Sequence, residues 1–268
     1  MSATEAADWV RVERRGRIAI VRFDRGDGRN ALSIEACRAL ARAARSFEED
    51  ADVSAVVLTG TPGVFSLGAD LRDEALARAR VARLAERRLV MQLGGRMCRA
   101  WAEAEPLTIA AIEGWCVGGG AALAVACDLR VASRAATFYV PEIERGMNLS
   151  WGAVPRIAHL VGPARAKRIA VVAERLPAER ALDWGLVDEL APEGGALEAA
   201  LAVAERVASL PPVQVRMIKQ AVDASVHALD RATSQADFDQ FALAMDSADF
   251  DEGVRAFLER RPPRYTGG

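Results

Sequence analysis

A small-residue loop, a glycine triplet and a Pro-Glu pair are the parts of this chain whose types and spacing could do chemistry. The loop is Phe65-Ser66-Leu67-Gly68-Ala69-Asp70, and the other parts run from Gly114 through Gly118-Gly119-Gly120 to Pro141-Glu142. The apolar run at residues 55–60 reads as a buried strand leading into the loop. The triplet opens Ala121-Ala122-Leu123-Ala124-Val125-Ala126, which reads as a helix whose first-turn N–H groups have no acceptor within the helix. Two backbone N–H groups meeting from such places would hold a developing oxyanion, as an enolate or a tetrahedral intermediate requires.

The elements that must position these groups alternate along the chain. Residues 17–23 are β-like and end in the turn-rich Asp24-Arg25-Gly26-Asp27-Gly28. From Ser33, a plausible N-cap, the pattern is helical, with Leu40, Ala44 and Phe47 on one face. Strands are expected over 55–58, 107–112, 128–132 and 137–140, with one long helix over 72–99. Between residues 72 and 88 that helix carries six arginines against three acids, which fits either a solvated face or phosphate contacts. After about residue 192 strand signals vanish, and 196–210, 212–228 and 233–245 read as successive helices. The order strand, helix, strand, turn, helix makes α/β layering the economical fold class.

The 268 residues suffice for one large domain or a domain with a helical appendage; 51% are apolar and 27% charged. A net charge of −2 gives no reason to expect a nucleic-acid partner or a membrane. Cys37, Cys98, Cys116 and Cys127 lack paired CxxC spacing, and the only histidines are His159 and His227, so no metal site is expected and the thiols read as buried structure. Met1-Ser2-Ala3-Thr4-Glu5 has no signal-peptide or transit-peptide character and no apolar run reaches spanning length, so a cytoplasmic protein is expected.

Nearly end to end, the chain resembles the crotonase (enoyl-CoA hydratase/isomerase) superfamily. The resemblance rests on Arg29-Asn30-Ala31-Leu32, Val57-Leu58-Thr59-Gly60, Phe65 to Leu71, Glu113-Gly114-Trp115-Cys116-Val117-Gly118-Gly119-Gly120, and Cys127-Asp128-Leu129-Arg130. It continues in Phe138-Tyr139-Val140-Pro141-Glu142, Val161-Gly162-Pro163-Ala164-Arg165-Ala166 and Ala181-Leu182-Asp183-Trp184-Gly185-Leu186-Val187. It implies a crotonase-like spiral of repeated β-β-α units over residues 1–195, bearing an acyl-CoA site. An all-helical trimerisation region would follow over 196–268, giving a homotrimer or a hexamer formed as a dimer of trimers. By the same resemblance the N–H groups of Ala69 and Gly119 form the oxyanion hole for a thioester carbonyl. Ala31, Leu32, Ser66, Gly68, Ala69, Asp70, Leu71, Arg72 and Gly119 would then contact the CoA ester. No cofactor beyond the substrate's own CoA is implied.

Hydratases of this superfamily use two glutamates around one water. Glu142 holds the second place, but Ala122 stands at the first, and a methyl group transfers no proton. A single carboxylate suits a 1,3-proton shift from 3-enoyl-CoA to 2-enoyl-CoA better than hydration of 2-enoyl-CoA. A catalytically silent acyl-CoA binder and a crotonase-fold acyl-CoA hydrolase are the alternatives. Glu113 reads as a strand-end acid, and Glu144 shares the face of Glu142 only if the chain there is extended. Asp70 reads as a cap on the following helix, Asp128 as a structural acid bound to backbone N–H groups, and His159 as packing on a helix. Ala122, Trp115 and Trp151 are the candidates to line an acyl pocket.

Overall fold

Strands divide between two sheets that the chain visits in turn, as the computed structural model shows for residues 9–268. Residues 1–8, read above for targeting signals, lie outside the described residues. The larger sheet has the order β1-β2-β3-β5-β7-β10 and the smaller β4-β6-β8-β9. In the first, β1 (Val10–Arg15) and β2 (Ile18–Phe23) form an antiparallel hairpin. The strands β3 (Ala55–Thr59), β5 (Leu107–Ile112), β7 (Leu129–Ser133) and β10 (Glu189–Ala191) then run parallel to β2. In the second, β4 (Val64–Ser66), β6 (Trp115–Val117) and β8 (Thr137–Tyr139) are parallel, and β9 (Leu176–Pro177) closes antiparallel to β8. Each of β3, β5 and β7 is followed within a few residues by β4, β6 or β8 and then by helix, which is the repeated β-β-α turn of a spiral.

The burial of β3 shows how the sheet is held. All five of its residues are buried, as expected of a parallel strand covered on both faces. Val56 and Leu58 enter the main core, while Ala55 and Val57 face a second cluster. The helix covering that second face is α9 (Ala196–Ala208), through its buried stripe Ala196, Ala200 and Ala204. Small side chains at every fourth position let the helix lie close on the sheet. On the main-core side, α1 (Ile34–Arg45) starts where Ser33 Oγ accepts from Ala36 N at 3.1 Å, and it buries Ala36, Leu40 and Ala44.

The expected helix over 72–99 is three: α2 (Glu74–Val81), α3 (Leu84–Met91) and α4 (Leu93–Ala102). Ala82 and Arg83 are extended, and the Asp73 side chain caps α2 by accepting from Ala75 N at 2.8 Å. Only α4 has a strongly buried stripe (Met97, Cys98, Trp101); α3 buries nothing, so no continuous apolar face holds the three in one rod. The helices between the sheets and the tail are α5 (Gly119–Ala124), α6 (Ala153–Val161), α7 (Pro163–Ala170) and α8 (Ala178–Trp184). In the tail, α10 (Pro212–Val226) matches its expected span, whereas the helix expected over 233–245 is divided into α11 (Asp230–Ser234) and α12 (Asp237–Met245), followed by α13 (Ala248–Glu259). Among the described residues no helix is long and apolar enough to cross a membrane.

A buried ion pair fastens the tail to the sheet. Lys219 Nζ on α10 meets Asp128 Oδ2 at 2.7 Å, and the same oxygen accepts from Thr108 N at 2.7 Å and Thr108 Oγ1 at 2.9 Å. Asp128 is thus the structural acid its sequence position suggests, with an added lysine partner. Removing one member leaves the other charge buried and uncompensated. Lys219→Ala should therefore cost about 3 kcal/mol of unfolding free energy in urea titration, whereas Lys219→Met combined with Asp128→Asn should recover most of it.

Candidate active site

Three adjacent strands of the small sheet deliver the three candidate groups. Because β4, β6 and β8 are parallel neighbours, their C-terminal ends leave the sheet along one edge, the place where α/β folds build ligand sites. Ala69 lies three residues beyond β4, Gly119 two beyond β6, and Glu142 three beyond β8. The register pairs Ser66 with Cys116 and Val117 with Tyr139, and Gly118 N donates to Tyr139 O at 2.8 Å. Sequence distance is therefore no measure of separation here.

The approach of the first two segments is close enough to require glycine. A Cβ placed on Gly68, whose φ is +82°, would lie 2.6 Å from Val117 O and 3.0 Å from Gly119 N. Gly118, at φ +52° and ψ −116°, makes the turn from β6 into α5 in a conformation L side chains rarely adopt. The Leu32–Ala69 parallel bridge uses the N–H of Leu32 and Asp70, and among the described residues that of Ala69 meets no acceptor. Among the described residues the Gly119 amide, at the first position of α5, likewise meets no acceptor. Ala69 is exposed, so a carbonyl oxygen from solvent can reach it.

Glu142 is fixed beside these amides. It precedes a 3-10 turn (Ile143–Arg145), and its carbonyl accepts from Arg145 N and Met147 N, each at 3.0 Å. Its Oε1 sits 2.5 Å from where Gly118 would carry a Cβ, and its Oε2 is buried without a hydrogen-bond partner. Burial pushes the carboxyl up to about 7, against smaller opposing effects from its own backbone and the Arg145 charge. The same turn carries Glu144 away from Glu142: the Glu144 carboxylate takes the Tyr139 hydroxyl on an exposed face.

Trp151 closes the other side. It has φ +61° in a turn completed by Gly152, whose N–H donates to Asp237 Oδ2 at 2.8 Å. Its indole occupies the space left by two glycines: Cβ atoms on Gly119 and Gly94 would lie 2.4 Å and 2.0 Å from ring carbons. Gly94, in α4, belongs to this candidate site and was missed by sequence reasoning, since nothing in its neighbourhood marks a glycine needed for contact at long range. Ala122 is a buried methyl one turn after Gly119. Trp115, the other aromatic candidate, is 40% exposed at the opposite end of β6 and does not join Trp151 and Gly119.

The candidate CoA contacts are unequal. Ala31 and Leu32 are buried beside Ala69 through the bridge, and Leu71 packs towards Met147, Met245 and Phe250. Ser66 is fully buried, its hydroxyl donating to Asn30 O at 2.8 Å and accepting from Gly68 N at 3.1 Å, so its side chain supports the loop. Asp70 caps no helix, correcting the expectation; Asp73 does that, and Asp70 binds Arg25 Nη1 at 2.8 Å. Arg72 is exposed. Glu113 accepts from Gly194 N and Ala196 N at 3.2 Å and 2.8 Å, which fixes the start of α9.

A large cavity, about 1270 Å³, lies elsewhere, between α4, α6 and the tail helices. Trp151 and Ser150 line it; Ala69, Gly119 and Glu142 do not. His159 also lines it and is not mere packing, since both His159 and His227 hydrogen-bond to Asp230.

The chain is similar to known proteins over nearly its whole length. The sequence profile described as enoyl-CoA hydratase/isomerase matches residues 13–268. A putative enoyl-CoA hydratase of Thermus thermophilus is 36% identical over 261 residues, covering 96% of this chain and 100% of that protein. The 2,3-dehydroadipyl-CoA hydratase of Escherichia coli is 30% identical, covering 96% and 98%. A crystal structure of carnitinyl-CoA hydratase from Mycobacterium avium superposes with a TM-score of 0.85 at 33% identity, over 97% of this chain and 99% of that one. The chain belongs to the enoyl-CoA hydratase/isomerase family of the crotonase superfamily and is an enzyme of that family.

The buried Glu142 carboxyl has a measurable consequence for stability. Its folded value, about 7, is raised above the unfolded one, so between the ordinary carboxylate range and 7 the folded state holds more protons. Stability then falls as pH rises through that window and is level above it. Glu142→Gln removes the cost of burying the charge. At pH 8 the variant should be more stable than the parent by up to about 3 kcal/mol in urea titration, and the difference should vanish below about pH 4.5.

Proposed function

We propose that this enzyme acts on an acyl-CoA thioester by stabilising its enolate between Ala69 N–H and Gly119 N–H, with Glu142 as the sole proton carrier. The observation that supports this most directly is the buried, unpartnered Oε2 of Glu142 beside two unengaged amides. A carboxyl held near 7 is present in both protonation states at neutral pH, which suits a group that takes a proton and returns it. On a 3-enoyl-CoA, Glu142 removes the Cα proton, and the electrons of that bond move to the thioester oxygen. The dienolate collapses as Glu142 returns the proton at Cγ, leaving the double bond between Cα and Cβ. Each oxyanion donor in such sites typically contributes about 10²–10³ in rate.

Hydration asks more of the site, because water must be positioned and deprotonated and a proton delivered to Cα. With the Ala122 methyl at the place of the second acid, those tasks fall to Glu142 alone, which favours isomerisation over efficient hydration. The indole of Trp151 over Gly119 bounds the room for the acyl chain. The reading needs no cofactor beyond the CoA carried by the substrate. A homotrimer or a dimer of trimers is the assembly that accompanies it; because α9 covers the sheet, the catalytic unit extends through that helix and the oligomerisation region is the tail after it rather than all of 196–268.

Glu142→Gln should slow hydrogen exchange at Cα of a bound acyl-CoA by at least about 10²-fold while leaving CoA-ester affinity within a few-fold. Unchanged exchange would remove Glu142 from this role, and binding with no turnover on 2-enoyl or 3-enoyl substrates would instead favour a silent binder. Release of free CoA in the same assay would favour a hydrolase. Separately, Ala122→Glu should raise hydration of 2-enoyl-CoA; a folded variant with no gain would show that the absent acid is not what limits hydration.

A further inference from the structure

The chain has only two histidines, 68 residues apart, and the fold brings both to one carboxylate. His159 stands in the last turn of α6, His227 ends α10, and Asp230 begins α11. His159 Nε2 is 2.8 Å from Asp230 Oδ1, and His227 Nδ1 is 2.6 Å from Asp230 Oδ2. The rings meet edge to face with centroids 5.5 Å apart, and one ligand atom from each residue lies within 4.8 Å of the other two. Asp230 is buried, and both imidazoles are partly exposed on the wall of the large cavity.

We propose that His159, His227 and Asp230 form a binding site for a divalent transition metal of the zinc type. Two imidazoles and a carboxylate are a ligand set such ions favour over calcium or magnesium, which prefer oxygen alone. Tetrahedral bonds of about 2.0–2.1 Å place neighbouring ligand atoms roughly 3.3 Å apart, so the two histidine–aspartate pairs, at 2.8 Å and 2.6 Å, must each open by about half an ångström to admit the ion. The two hydrogen-bonded ring nitrogens turn their lone pairs inwards as each tautomeric proton moves to the opposite nitrogen. Three protein ligands leave one position facing the cavity, open to water and serving as the path of entry. A bound ion ties the core helix α6 to the tail at a point distinct from Glu142 and from the amides of Ala69 and Gly119. Because the four cysteines are all buried, they do not compete for metal.

The test is calorimetric titration of the full, tag-free chain with Zn²⁺, paired with the visible spectrum of the Co²⁺-loaded protein. One ion per chain, a tetrahedral cobalt spectrum and a melting temperature that rises with metal concentration are expected. His159→Gln, His227→Gln and Asp230→Asn should each weaken binding at least tenfold and abolish the metal-dependent rise in melting temperature. Two positions from different helices keep the test valid if one variant fails to fold. Absence of stoichiometric binding, or folded variants that bind as the parent does with the same spectrum, would overturn the assignment.

Discussion

The geometry of the candidate site depends on how closely two backbones can run. The loop after β4 passes the turn after β6 with Gly68 against Val117 O and Gly119 N, at separations where any Cβ on Gly68 would collide. Parallel pairing of β4 with β6 brings these segments together, and the absence of a side chain lets them touch. Among the described residues two amides are thereby left without internal acceptors on the same sheet edge. Backbone donors held this way need no reorganisation when negative charge develops, which is why the arrangement can lower a barrier.

The third parallel strand adds the acid under the same constraint. Glu142 arrives on β8 and turns immediately into a 3-10 segment that holds it over Gly118, where a side chain would exclude it. Loss of solvation raises its affinity for a proton, so the position that costs stability is also the one that tunes the group for neutral pH. Trp151, in a strained turn, fills the opposite wall by occupying the hollow of Gly94 and Gly119. Glycine thus has three different tasks here: turning a chain, admitting another backbone, and receiving an aromatic ring.

Much of this was legible in the sequence, for identifiable reasons. Buried parallel strands such as β3 and β5 announce themselves as short apolar runs, and Ser33 marks its helix start by a capping side chain. Glycine triplets and the Pro-Glu pair are local signals, so Gly119 and Glu142 could be singled out. By contrast β1, the sequence VRVERR on an exposed edge, carries too little apolar alternation to be read as a strand. The break at Ala82-Arg83 has no glycine or proline to reveal it. Contacts made only by tertiary folding were invisible: Gly94 beneath Trp151, Arg25 on Asp70, and both histidines on Asp230. The face of Glu144 turned on whether the chain after Glu142 was extended, and one turn of 3-10 helix decided it.

The most direct measurement is the pH dependence of hydrogen exchange at Cα of a bound acyl-CoA, followed as kcat/KM. Glu142, its Oε2 withdrawn from water, acting as base predicts a rate that climbs with pH and levels off above about 7, because only its ionised form accepts the proton. A profile that levels off in the ordinary carboxylate range, near 4 to 5, or one that passes through neutrality without inflection, would contradict the account.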